Sequence, residues 1–313
     1  MSAVARRGSR AIALVIAAFA VSAHAGHSLR FGGTGTGDVD HVKIRVDDPA
    51  NANPGPRVDV GANDFTLELW VKGALADNAT PVASCGANTA WRGGNIVVDR
   101  DRFNQDRRFG LSFANGRAVF GVSGAGTGDR SLCGTGNVLD GQWHHVAAQR
   151  RRSDGYLWLF VDGALEAQAD GPDGDVSYPD SGVPGNFCGG PCTNSDPFLV
   201  IGAEKHDAGA SFPSFNGYVD ELRISTMLRY PNASFSRPRA PFVPDSATAA
   251  LYHFDEGLGD VLYDVMPLAT GATDGAIRRA SPTAFPQWST DTPFNALQAI
   301  NASAMSAFVA LRR

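Results

Sequence analysis

The chain has 313 residues, 43% hydrophobic and 19% charged, with 36 Gly, 18 Pro and 4 Cys. That apolar share supports a packed core and excludes global disorder. The net charge of −5, from 27 basic and 32 acidic groups, excludes polyanion binding by bulk electrostatics, so nucleic acid is not an expected partner.

Residues 1–25 have the layout of a signal peptide. Arg6, Arg7 and Arg10 precede an apolar run from Ala11 to Val21, and Ala23-His24-Ala25 fits the small-residue cleavage rule. The run is too short to cross about 30 Å of hydrocarbon, which needs ~20 residues. No later apolar stretch approaches that length. The expectation is a secreted or periplasmic protein, cut after Ala25, with no stable membrane insertion.

Short strand patterns bounded by turn residues follow. Phe65, Leu67, Leu69 and Val71 alternate with Thr66, Glu68, Trp70 and Lys72, which is the period of a strand. Further strands are expected at Ala118–Val122, Trp143–Arg150, Phe198–Gly202, Tyr218–Ser225 and Ala249–Phe254. Tyr156–Val161 is apolar on both faces, as in a central strand covered on each side. Asp162-Gly163 after it is a two-residue hairpin signal, because both residues tolerate positive φ.

Two stretches break the rhythm. Asp170–Pro197 is rich in Gly, Pro, Asp and Ser, a long loop of the kind that is functional or disordered. Pro231–Pro244 carries four prolines and reads as an extended connection over the surface. All four cysteines, Cys85, Cys133, Cys188 and Cys192, lie beyond the leader, and an exported chain favours disulfides. Four cysteines allow three connectivities. The tight Gly-Gly-Pro interior of Cys188–Cys192 favours that pair, leaving Cys85 with Cys133.

Five segments, NDFTLELWVKG (63–73), DGQWHHVAAQR (140–150), LWLFVDGAL (157–165), FNGYVDELRIS (215–225) and LYHFDEGLGD (251–260), together resemble the laminin-G-like branch of the concanavalin A-like lectin/glucanase superfamily. The resemblance runs from Leu29 to about Asp264. It implies an all-β, two-sheet antiparallel jelly roll, a single sandwich domain over 26–297 with a tail at 298–313. Ile277–Phe294 could add an edge strand.

Glucanases of this superfamily carry carboxylates at alternate positions of one strand, since period two projects them to one face. Glu166–Asp170 lacks the middle carboxylate, and Asp220 and Glu221, being adjacent, are expected on opposite faces. No catalytic residue is assigned and no enzyme activity is expected. His144 and His145 are adjacent on a strand and so do not chelate one ion together. His206 beside Asp207 reads as an exposed, solvated pair.

The resemblance also implies a structural calcium, which wants six to eight hard oxygens. Asp220 in the VDELRI segment resembles a family ligand, with Gly33 offering a carbonyl; the alternative is that Asp220 pairs with Arg223 or caps backbone. Asp38, Asp40, Asp47 and Asp48 form either a solvated face or a rim calcium site. For a ligand, sugar recognition needs an aromatic platform and fixed polar groups. Trp70 and Trp158 are candidates, or else lie under covering loops; Trp91 and Arg92 occupy a polar loop. The expected function is non-catalytic binding of a glycan or an extracellular protein. A glycan-cleaving enzyme and a structural matrix protein are the alternatives.

Overall fold

Period-two alternation becomes two antiparallel sheets in the computed structural model, which describes residues 26–47, 55–80, 84–102, 105–179, 197–206, 208–266 and 273–294. The strands in chain order are β1 Ser28–Gly32, β2 His41–Arg45, β3 Phe65–Gly73, β4 Gly86–Ala87, β5 Asn95–Arg100, β6 Arg108–Ala114, β7 Arg117–Gly124, β8 Gly128–Cys133 and β9 His144–Arg150. They continue with β10 Leu157–Val161, β11 Ala164–Ala169, β12 Phe198–Ile201, β13 Asn216–Ser225, β14 Thr248–Tyr252, β15 Val261–Leu262, β16 Gly275–Arg278 and β17 Gln287–Ser289. The first sheet runs β11-β10-β9-β3-β13-β1-β17, with β14 also on β13, and the second runs β15-β16-β2-β12-β5-β6-β7-β8-β4. The expected all-β sandwich is observed.

The core lies between the sheets. Phe65, Leu67, Leu69 and Val71 of β3 point inward with Val146, Leu159, Val219 and Ile224, and meet Val42, Val98, Leu111, Phe120 and Ile201 of the second sheet. Burying each such side chain is worth about 1.5–3 kcal/mol. The hairpin at Asp162-Gly163 forms, with φ of 50° and 81° at the two residues. Cys85 and Cys133 are bonded to each other. Cys188 and Cys192 lie outside the described residues, as does the proposed leader.

The apolar Tyr156–Val161 run is covered on both faces, but its strand, β10, is second from the sheet edge rather than central. Its outer cover comes from the proline-bearing connection. Tyr230 and Phe235 stack at 3.6 Å and pack over Trp158, Phe160 and Ala147. Phe242 and Phe294 similarly cover Trp70 and Leu251. A polar network lies under this strap. Glu68 accepts from Arg223 Nε at 2.7 Å and from Tyr230 Oη, and His145 Nε2 lies 3.2 Å from its Oε2. Burial works against the Glu68 carboxylate, but His145 and Arg223 hold its pKa down to about 2.

One local irregularity changes the reading of β13. The pairing of β13 with β3 shifts register between Asp220 and Arg223, and Glu221 has φ of 51°. Such a bulge inserts one extra residue and re-aims its side chain. Leu222 and Val219 enter the core. Glu221 instead accepts from Phe242 N, in the strap, at 2.8 Å. Asp220 and Glu221 therefore share the outer side of the first sheet, a correction to the opposite faces that simple alternation predicts.

Candidate functional site

Among the described residues, one group of metal-type side chains gathers on the outer side of the second sheet. Asp99 and Asp101 are two residues apart at the end of β5, so both project to one side. Glu204 and His206 follow β12, which pairs with β5 at Val200 opposite Asp99. Asp101, Glu204 and His206 each place one ligand atom within 4.8 Å of the others. His206 Nδ1 lies 3.1 Å from Glu204 Oε1 and 3.8 Å from Asp101 Oδ2. The His206 side chain has 0% exposure, so it is not the solvated residue expected from the sequence; Asp207 lies outside the described residues.

Asp99 sits behind this trio with no exposure at all. Its Oδ1 accepts from Trp91 Nε1 at 3.1 Å and its Oδ2 from the Lys205 amide at 3.2 Å. Burial pushes its pKa up to about 8, helped by the negative charges of Asp101 and Glu204. Two arginines hold Asp101 from the solvent side. Arg92 Nη1 approaches Oδ2 at 3.3 Å and Arg108 Nη1 approaches Oδ1 at 3.3 Å. These same arginines line an open polar groove of about 390 Å³ with Gln105, Asp106 and Asp129.

Arg92, expected in a ligand site from its loop setting, does line this groove. The three tryptophans do not serve as open platforms. Trp91, Trp70 and Trp158 are 1%, 3% and 1% exposed, Trp70 and Trp158 because segments distant in sequence close over them. Trp91 lies in a 3₁₀ turn, Trp91–Gly93, and its indole rests against β6 and β7. A Cβ on Gly110 would sit 2.2 Å from Trp91 Nε1, and one on Gly121 would sit 2.7 Å from its Cε3. Those two glycines make the recess the indole fills.

The two residues expected to share a calcium lie apart. β1 pairs β13 with Leu29 opposite Val219 and Gly32 opposite Asn216. Gly33 is therefore level with residue 215, five positions along from Asp220, or about 17 Å at strand rise. Asp220 and Gly33 are not brought together, so that donor pair does not fit one calcium. Asp220 instead accepts from Thr292 Oγ1 at 3.0 Å. The early acidic residues do not form one face. Asp40 is buried and accepts from the Gly32 and Thr34 amides, whereas Asp38 meets His41, Lys43 and Arg278. Asp47 is also buried, and Asp48 lies outside the described residues.

The Asp101–Glu204–His206 donor set includes an imidazole, which hard calcium does not favour and first-row transition metals accept. Asp99, Asp101 and Glu204 escaped the sequence reading. Their only signal was the acid-x-acid spacing at 99 and 101, with nothing to connect it to Glu204 more than a hundred residues later. His144 and His145 do diverge as expected. His144 meets Asp162 at 2.8 Å and Asp140 at 3.1 Å, whereas His145 lies at Glu68. Glu166 receives the Thr135 and Gly136 amides, which is a loop clamp.

Comparison with characterised protein sequences finds no match. Among solved structures, a protein from Bacteroides ovatus described as carbohydrate-binding is similar at 16% identity and TM-score 0.45, covering 83% of this chain and 62% of that one. The chain thus spans less than two thirds of that protein. Domains LG4-5 of the mouse laminin α1 chain are similar at 16% identity and TM-score 0.40, over 68% of this chain and 49% of theirs. The Ruminococcus gnavus sialidase CBM40 gives 16% identity and TM-score 0.41, over 67% of this chain and 96% of that one. A laminin-G family model matches residues 40–231, more than half of the sequence. By that match, and with the two-sheet sandwich it predicts, the chain belongs to the concanavalin A-like lectin/glucanases superfamily.

Proposed function

We propose that this protein is an exported, non-catalytic module that binds a glycan in the polar groove of the second sheet, beside a divalent cation held by Asp101, Glu204 and His206. The observation that carries the reading is the fixing of Arg92 and Arg108 by one buried carboxylate, Asp101. Two guanidinium groups tied down in this way present donors to hydroxyls without losing freedom on binding. Phe212, partly exposed beside Arg92 at 5.8 Å, adds an apolar surface of the kind a sugar face uses.

The superfamily name covers both lectins and glucanases, and its fold alone does not choose between them. Binding without cleavage is favoured by Asp99. Asp99, the carboxyl of this cluster whose pKa burial raises, is fully buried and already accepts from Trp91 and Lys205, so it is not placed to protonate a leaving group in this groove. Export is supported by the leader pattern and by the Cys85–Cys133 bond, since such bonds persist in oxidising compartments. Among the described residues, no helix is long and apolar enough to cross a membrane.

A glycan array probed with wild type and with Arg92→Ala, Arg108→Ala protein tests the reading. Binding to a defined glycan set that the double variant loses is expected, with no reducing ends released. New reducing ends would favour the glucanase alternative. An empty array with capture of an extracellular protein would favour a protein partner.

A further inference from the structure

A second groove of about 430 Å³ is lined by the segment from His253 to Val265, which includes β15 of the second sheet, on a part of the chain beyond the family match at 40–231. Its walls are apolar. Leu258, Val261 and Tyr263 are 74%, 38% and 55% exposed, an unusual grouping of large apolar side chains in solvent. Its floor is polar and incompletely satisfied. His253 is 6% exposed, and its Nδ1 lies 2.6 Å from Glu221 Oε1, yet its Nε2 is buried with no hydrogen-bond partner. Glu256 Oε1 accepts from the Tyr263 amide at 2.8 Å, but its Oε2 is likewise buried without a partner. Buried polar groups are nearly always paired, so two unpaired atoms facing one groove point to a ligand that pairs them.

The setting is held in an unusual backbone. Glu221 and Phe254, both adjacent in space or sequence to His253, have φ of 51° and 59°. Non-glycine residues adopt this region at a cost, and those that do concentrate at functional sites. The loop that forms the rim is tied down from outside, since Trp288 Nε1 donates to Gly259 O at 3.0 Å and Arg279 pairs with Asp260. A loop anchored in this way provides a preformed wall.

We propose that this groove is a second binding subsite, for an uncharged sugar residue. The inference rests on the glycan reading above and adds a place and a ligand class to it. A sugar hydroxyl fits the two unpaired atoms when the ring is protonated: its oxygen accepts from His253 Nε2–H while its one hydrogen is donated to Glu256 Oε2. Tyr263 and Leu258 supply surface for the C–H face of a pyranose. Glu221, Asp255 and Glu256 act on a single imidazole, so carboxylated or sulfated sugars are disfavoured. The volume falls within the range of about 300–1,000 Å³ typical of small-ligand sites.

Saturation-transfer NMR and calorimetry with methyl glucoside, galactoside and mannoside, and with glucuronate and sialyllactose as anionic probes, test the proposal. Wild-type protein should bind at least one neutral glycoside and none of the anionic probes at this site. Tyr263→Ala should weaken that binding about tenfold, and His253→Gln should weaken it further. Because Tyr263 is exposed, its loss leaves the core intact and the result readable even where the buried His253 variant fails to fold. Neutral-glycoside binding that Tyr263→Ala leaves within twofold of wild type overturns the proposal, as does Tyr263-dependent binding of the anionic probes, or no neutral-glycoside binding at all. In each of these cases array binding lost on substituting Arg92 and Arg108 still stands for the first groove. An array empty for wild type removes the glycan reading itself.

Discussion

Trp91 and Asp99 are joined by a 3.1 Å hydrogen bond from the indole nitrogen to Oδ1, in a position where neither side chain meets solvent. The bond connects the turn that carries Arg92 to β5, whose end leads straight into Asp101, so an aromatic side chain helps set the position of the candidate cation site. Trp91→Phe keeps most of the packing and removes only the donor. Leaving the buried carboxyl short of one partner should cost about 1–3 kcal/mol. Urea unfolding of the two proteins should show a lower midpoint for the variant with an unchanged slope.

The recess for that indole gives a sharper test. Gly110→Ala places a methyl group 2.2 Å from Trp91 Nε1, closer than any real contact. Overpacking of this kind costs about 1–3 kcal/mol or more. Thermal denaturation should show Gly110→Ala melting well below wild type. A substitution such as Gly37→Ala meets nothing within 4 Å. It should lose only what its positive φ of 70° imposes.

Cation binding should stabilise the folded chain. A metal that binds only the native state at 100 times its Kd adds about 2.7 kcal/mol. With manganese or zinc, metal-stripped wild type should gain in Tm, and Asp101→Asn, Glu204→Gln protein should not. Calcium should act more weakly, because one of the three donors is an imidazole nitrogen. Differential scanning fluorimetry with each ion separates these outcomes.

The strap network predicts a pH response. Glu68 has a folded-state pKa lowered from 4.5 to about 2. A depressed carboxyl pKa contributes stability that is complete above the unfolded value. That contribution is lost as pH falls from about 4.5 through about 2. Glu68→Gln should be less stable than wild type at pH 7, and the gap should narrow as the pH approaches 2. Chemical denaturation at stepped pH values checks the convergence.

The disulfide offers an independent check on the architecture. Cys85 and Cys133 close a loop with a sequence separation of 48 residues. Chain-entropy arguments put its contribution at about 4 kcal/mol. Cys85→Ser, Cys133→Ser protein should unfold at markedly lower denaturant while keeping the far-ultraviolet signature of a sheet protein.

The sandwich was legible because its signal is local. The Phe65–Val71 alternation and the Asp162-Gly163 turn each specify their own geometry within a few residues. What was not legible depended on chain segments meeting across the fold. Trp70 and Trp158 do alternate away from the core, as the pattern indicates, but Tyr230, Phe235 and Phe242 then arrive from a proline-bearing connection and cover them. Asp220 and Glu221 violate alternation because a bulge inserts a residue, and no residue type in VDELRI marks it. Arg92 entered as the neighbour of a tryptophan in a polar loop, and it lines the groove. Its partner Asp101 was missed because the cluster is assembled only when β12 pairs with β5.

Amide chemical shifts mapped during titration with a glycan selected from the array report where on the two sheets that glycan sits. Perturbations should centre on Arg92, Arg108 and Asp129, the glycan should be recovered uncut, and the response should be lost when Arg92 and Arg108 are replaced by alanine. Shortened glycan in the tube, or perturbations confined to surfaces away from those three residues and the His253 groove, would contradict it.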